Sequence, residues 1–152
     1  MNILVCTDGS AVAERAVQKA AEAAQLLKES EITVLHVHQP IQTAPPYGHA
    51  PHHFEGRLSQ LKVPEELEDG LRQQARMVLE EAEKVLEQAG VSYRLELIDG
   101  HPVAKIIDYV EEHDIDLLMI GNKGRSGLQK TLLGSVSSGV IQEADCDIVL
   151  VK

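Results

Sequence analysis

The sequence predicts an α/β protein: an open, mostly parallel five-stranded sheet with helices on both faces. Three observations carry that expectation. Apolar runs such as Ile3-Leu4-Val5-Cys6 and Ile115 to Ile120 lack a period of two, as strands covered on both faces do. Between such runs lie segments whose apolar residues recur at steps of three and four, the spacing of a helix face. The two kinds alternate along 152 residues, a length suited to one domain spanning 1–152, and 43% apolar residues are enough to fill its core.

In order, the first strand runs from Asn2 to Thr7 and ends at Asp8-Gly9-Ser10. Ala13, Ala16, Val17, Ala20, Ala24 and Leu27 then share a helical face whose small side chains allow close approach to a sheet. Ile32 to His38 is a second, β-branched strand. It gives way to Pro40, Pro45, Pro46 and Pro51, so residues 39–63 are expected to form a long flexible loop. Pro64 suits the first turn of a long helix with Leu67, Leu71, Ala75, Val78, Ala82, Val85 and Ala89 as its stripe, ending before Gly90. Val91 to Ile98 is a third strand, and Asp99-Gly100-His101-Pro102 turns into a helix that sends Val103, Ile106, Ile107 and Val110 to the core. Ile115 to Ile120 is the fourth strand, followed by a glycine-rich connection from Gly121 to Gly127. Gly134-Ser135 opens the last helix, with Val136, Val140, Ile141 and Ala144 on one face, and Ile148 to Val151 closes the sheet.

Right-handed crossovers restrict the strand order. In the Rossmann-like mononucleotide-binding order, 3-2-1-4-5, the direction of winding reverses between strands one and four, and ligands bind at the carboxyl ends there. Thr7-Asp8-Gly9 and the run from Gly121 should therefore converge.

Charge removes several function classes. With 24 acids against 14 bases the net charge is −10, which repels nucleic-acid phosphates and anionic lipid surfaces, so no nucleic-acid or membrane partner is expected. No apolar run approaches the roughly 18 to 20 residues of a membrane-spanning helix. The chain enters its first strand without a charged leader or cleavage site, and a cytoplasmic location is expected. Cys6 and Cys146 lack metal-ligand spacing and read as reduced core residues.

Against that acidic background one segment differs. No Asp or Glu occurs between Leu117 and Gln142, where an even spread of the 24 acids would put about four. Lys123, Arg125 and Lys130 lie there instead. The helix starting near Ser135 has no acid in its first turn to complement the positive end of its dipole, so an outside anion fits that place. Gly134 permits close backbone approach, and Ser135, Ser137 and Ser138 add hydroxyls beside first-turn amides, an arrangement that binds phosphate. Read alone, Gly121 to Gly127 is an ordinary turn and Ser135 an ordinary N-cap; the coincidence with a switch point favours phosphate binding.

Gly121-Asn122-Lys123-Gly124, then nine residues, then Gly134-Ser135 resembles the Gly-x2-Gly-x9-Gly-Ser signature of the ATP-binding branch of the universal stress protein family. The likeness extends to Thr7-Asp8-Gly9-Ser10, Gly100-His101-Pro102, Glu112-His113-Asp114-Ile115-Asp116 and Cys146-Asp147-Ile148-Val149-Leu150-Val151. The resemblance implies ATP, or another adenine nucleotide, held between the loops after strands one and four. Asp8, with Thr7 beside it, would lie by the ribose and adenine; Val37 would offer backbone contacts to the adenine; Ile120 would pack on the nucleoside. Gly121, Lys123, Gly124, Gly134, Ser135, Val136 and Ser137 would surround the phosphates. The resemblance also implies a homodimer made through the last strand, 148–151, an apolar edge flanked only by Asp147 and Lys152. Two positions depart from the family pattern: Asp147 stands where proline is frequent, and Asn122-Lys123 replaces a serine-led pair.

Other signals weigh less. Neither a Walker loop nor a dinucleotide fingerprint is present, and no Gly-x-Ser-x-Gly elbow marks a nucleophile, so no catalytic residue is assigned. Asp8 suits either Mg²⁺ bridging the phosphates or the capping of the turn before helix one. His49, His52 and His53 cluster in the long loop with only Glu55 nearby, a pattern more typical of solvated imidazoles than of a metal site. His36 and His38 share one strand face, where packing under a helix accounts for them. A regulatory nucleotide-binding module is the first reading. A slow ATPase or adenylyl-transfer enzyme, and an interaction subunit with a vestigial site, remain alternatives.

Overall fold

The computed structural model describes residues 1–27, 29–40, 64–124 and 133–152. Among these residues the order is β1 (Asn2–Cys6), α1 (Ala11–Leu26), β2 (Glu31–His38), α2 (Glu65–Ala89), β3 (Tyr93–Asp99), α3 (Pro102–Glu112), β4 (Leu117–Gly121), α4 (Ser135–Glu143) and β5 (Asp147–Val151). All strand pairs are parallel and the sheet order is β3-β2-β1-β4-β5, as the crossover argument predicts. The expected loop over residues 39–63 lies outside the described residues apart from Gln39 and Pro40.

The core forms two layers, one on each face of the sheet. Alternation along β1 sends Ile3 and Val5 to one face, where Ala16, Val17 and Ala20 of α1 and Leu79, Ala82 and Leu86 of α2 cover them. It sends Leu4 and Cys6 to the other face, against Ile106, Tyr109 and Val110 of α3 and Val140 of α4. Ile3, Leu4 and Val5 are fully buried, which explains why the strand reads as an uninterrupted apolar run.

Element boundaries differ from the sequence reading where hydrogen bonding decides them. Gly90 ends α2, and the Val91 N–H reaches back to the Leu86 carbonyl, so Val91 belongs to the helix terminus and β3 begins at Tyr93. Pro64 is the N-cap of α2 and not its first helical residue. The α2 stripe is centred on Ala75, Leu79, Ala82 and Leu86, whereas Leu67 is 49% exposed and Val78, Val85 and Ala89 are half-buried. The reason is length: 25 residues at about 1.5 Å each overhang a strand of eight at about 3.3 Å each, so the first turns of α2 run past the sheet. Leu27 likewise falls at the C-cap of α1 and stays exposed. His38 is buried beneath α2, its Nε2 3.5 Å from Glu68 Oε2, the helix-covered placement expected for that strand face.

Leu86→Ala is expected to cost about 3 kcal/mol in urea unfolding, and Leu67→Ala under about 1 kcal/mol, because only the first opens a cavity in the core. Equal costs would contradict the assignment of the buried stripe.

Candidate functional site

Strands β1 and β4 are neighbours, yet the chain leaves β1 toward β2 and leaves β4 toward β5. Their carboxyl ends diverge, and a cleft of about 310 Å³ opens between them, within the range of small-molecule sites. Thr7, Asp8, Val37, Ile120, Gly121, Lys123, Gly124, Gly134, Ser135, Val136 and Ser137 all border it, so every site residue expected from the sequence meets in one place. Arg125, Lys130 and the His49, His52 and His53 cluster lie outside the described residues.

Five further lining residues escaped the sequence reading: Cys6, Ala13, Leu35, Pro102 and Ile106. Register would have found two of them, since Cys6 pairs with Leu35 on one side and Ile120 on the other. Together with Val37 and Ile106 these side chains make an apolar wall on the α3 and α4 side of the sheet. The Thr7 N–H donates to the Leu35 carbonyl at 3.0 Å, the last bond of the β1–β2 ladder. Two residues on, the Val37 peptide groups point the same way, past the point where β1 has turned off into α1.

The polar end is built by the turn before α4. The Gly134 N–H donates to the Asn122 carbonyl at 2.8 Å, and the first intrahelical bond is Ser138 N–H to Gly134 O at 2.9 Å. The amides of Ser135, Val136 and Ser137 therefore precede the hydrogen-bonded part of the helix. No side chain caps this end and its first turn holds no acid. By contrast Ser10 caps α1 by accepting from Ala13 N–H, and α2 starts with Glu65, Glu66 and Glu68. The N-cap is Gly134, with Ser135 inside the helix, so the ordinary-cap reading of Ser135 does not hold. The Ser137 hydroxyl faces inward and donates to the carbonyls of Gly134 and Asn122, which separates it from the exposed Ser135. Ile141, expected on the core face, is exposed instead.

Two glycines sit at points of close approach. A Cβ on Gly124 would lie 2.7 Å from Asp8 Oδ2, and one on Gly121 would lie 3.0 Å from Val12 Cγ1 and 3.3 Å from the Lys123 carbonyl. Side chains of the β1–α1 segment, Asp8 and Val12, thus lie against the glycines of the loop after β4. Asp8 Oδ1 accepts the Ser10 N–H at 3.0 Å, the turn-capping role, while Oδ2 is turned toward Gly124. Asp8 and Lys123 are the charged side chains among the described lining residues.

Burial, and secondarily the neighbouring Cys146 thiol, pushes the Cys6 thiol up to about 12. Burial also raises Cys146, which is only half-buried. Among the described residues no group of three or more His, Cys, Asp or Glu is arranged to hold a metal, and no helix is long and apolar enough to cross a membrane.

Fold and cleft together define an α/β protein whose topological switch point holds a helix start without a side-chain cap or a first-turn acid. The universal stress protein family matches over residues 1–152, and the chain belongs to that family. A universal stress protein of Methanothermobacter thermautotrophicus is 34% identical over 128 residues, covering 82% of this chain and 78% of the relative. Among solved structures, universal stress protein UspA from Lactobacillus plantarum superposes with a TM-score of 0.78 at 25% identity, covering 100% of this chain and 97% of the other. The universal stress protein from Archaeoglobus fulgidus, solved in complex with dAMP, gives a TM-score of 0.65 at 24% identity over 100% of this chain and 98% of the other.

Alkylation of the native protein is expected to modify Cys146 well before Cys6. The Cys6 rate should still be rising at pH 10, because its thiol is neutral until near pH 12 and only the thiolate reacts. A Cys6 rate that levels off near pH 9, followed by mass spectrometry of peptides, would place that thiol in an aqueous setting and contradict its burial.

Proposed function

We propose that this protein binds ATP, or another adenine nucleotide, in the cleft between the β1–α1 loop and the start of α4, as a member of the nucleotide-binding branch of its family. Its output would be a nucleotide-dependent regulatory state in the cytoplasm, with no fast chemical step. The observation that carries this reading is the amide set of Ser135, Val136 and Ser137, unclaimed by a cap or an acid, facing a cleft whose other wall is apolar. Lys123 adds positive charge at that end, and the Val37 peptide edge suits the hydrogen-bonding rim of a flat base. The dAMP complex of the Archaeoglobus fulgidus protein supports the choice of adenine, since the same fold carries such a ligand there.

The residues present suit a magnesium nucleotide. The cation commonly takes one protein carboxylate plus phosphate oxygens, and Asp8, which borders the cleft with its Oδ2 turned to Gly124, would supply that carboxylate. The same placement favours a second reading, slow ATP hydrolysis or adenylyl transfer. Phosphate release above blank that disappears in Asp8→Ala, with binding kept, would support it. Asp8 and Lys123 offer charge for such a step, but the uncapped amides at the start of α4 would hold a phosphate without any chemistry, so binding is the stronger reading.

Titration calorimetry on refolded, nucleotide-free protein is expected to give saturable heat with ATP, and Gly134→Asp should weaken binding at least about tenfold by adding bulk and like charge at the amides. Absence of heat up to millimolar ATP would falsify the nucleotide reading.

The chain is also proposed to pair through β5. This strand lies at the sheet edge, and Val149 and Leu150 are 39% and 36% exposed there. Leu150→Lys should shift the sedimentation coefficient from dimer to monomer while the circular dichroism stays that of the parent. An unchanged dimer would move the interface elsewhere.

A further inference from the structure

The hydrogen bonds around Asn122 separate two kinds of residue at the start of α4. The Asn122 N–H donates to the Val151 carbonyl at 2.7 Å, which fixes one side of this peptide to the end of β5. Its carbonyl accepts from the Gly134 N–H at 2.8 Å and from the Ser137 hydroxyl at 3.1 Å. The same hydroxyl lies 3.0 Å from the Gly134 carbonyl. Ser137 is 2% exposed, and its single hydroxyl proton is committed to these two carbonyls. A phosphate oxygen accepts hydrogen bonds and needs a donor, which this hydroxyl can supply only by abandoning them.

We infer that Ser137 is a positioning residue for the phosphate end of the cleft: its hydroxyl clamps the Asn122 peptide to the Gly134 cap and so aims the first-turn amides, without itself contacting phosphate. This rests on the proposed nucleotide binding. The clamp joins the strand end at Val151, the turn at Asn122 and the cap at Gly134, so the amide fan of α4 is set by the sheet and not by the helix alone. The Ser135 and Val136 amides, one and two residues past the cap, are the donors whose direction it controls.

Ser137→Ala should fold, because neither carbonyl is left without a donor: Asn122 O keeps the Gly134 N–H and Gly134 O keeps the Ser138 N–H. In nucleotide-free protein, hydrogen exchange followed by NMR should show the Gly134 amide exchanging about fivefold faster in Ser137→Ala, while Ser138→Ala leaves it unchanged. In calorimetry, Ser137→Ala should weaken ATP by about fivefold and leave adenosine within about twofold, since the loss falls on the phosphate end alone. Weaker ATP binding with unchanged Gly134 exchange would make the hydroxyl a direct phosphate ligand and overturn the inference. An equal loss for ATP and adenosine, or no loss, would overturn it as well. If the parent protein binds neither ligand, the nucleotide reading itself fails, an outcome visible before any variant is made.

Discussion

The constraint on which the structure depends is the handedness of its crossovers. Each helix must return the chain in a right-handed sense to a parallel strand. The first crossovers carry the chain from β1 through β2 to β3, and the next returns it to the far side of β1. Because the chain winds away from β1 in both directions, the loops at the carboxyl ends of β1 and β4 cannot cover one another completely. The cleft is what that topology leaves open, bordered by Cys6 and Thr7 where β1 stops and by Ile120 and Gly121 where β4 stops. Full burial of Ile3, Leu4 and Val5 holds the arrangement in place: neither helical layer can shift without exposing the central strand.

Electrostatics then gives the cleft its character. A molecule of net charge −10 disfavours anions at long range, so any anion site must be built locally from dipoles and withheld acids. The start of α4 has the features such a site would need. Carboxylates crowd the first turn of α2, whereas the α4 turn has none and its cap has no side chain. Pro102, at the start of α3, borders the same cleft, and α3 also begins without an acid or a side-chain cap. Among the described helices, the two whose N-termini have neither a side-chain cap nor a first-turn acid thus open onto one space.

Much of this was legible in the sequence because the relevant signals are local. A doubly covered strand announces itself by an unbroken apolar run, and the absence of Asp and Glu from Leu117 to Gln142 singles out the segment that forms the polar end of the cleft without any coordinates. What escaped was three-dimensional. Leu79 and Leu86 are the buried leucines of α2, but a stripe drawn from Leu67 misses them while including Ala75 and Ala82, since the offset depends on where the helix overhangs the sheet. Leu35 and Ile106 enter the cleft through strand register and helix docking, neither of which leaves a motif. Ser137 borders the cleft as expected, but composition only places a hydroxyl at the helix start, and the rotamer is what shows that it turns inward to the Asn122 and Gly134 carbonyls.

The thiol in the wall of the cleft has a consequence for life under oxidants. Peroxides attack thiolates, and a group that ionises near 12 is ionised to about one part in 10⁵ at neutral pH. Cys6 borders the cleft beside Leu35 and Ile120, where a sulfenic or sulfinic acid would place polar oxygens against the apolar wall. Burial keeps that sulfur in the neutral form, which peroxides attack slowly, so the wall of the cleft carries a thiol without carrying a reactive thiolate.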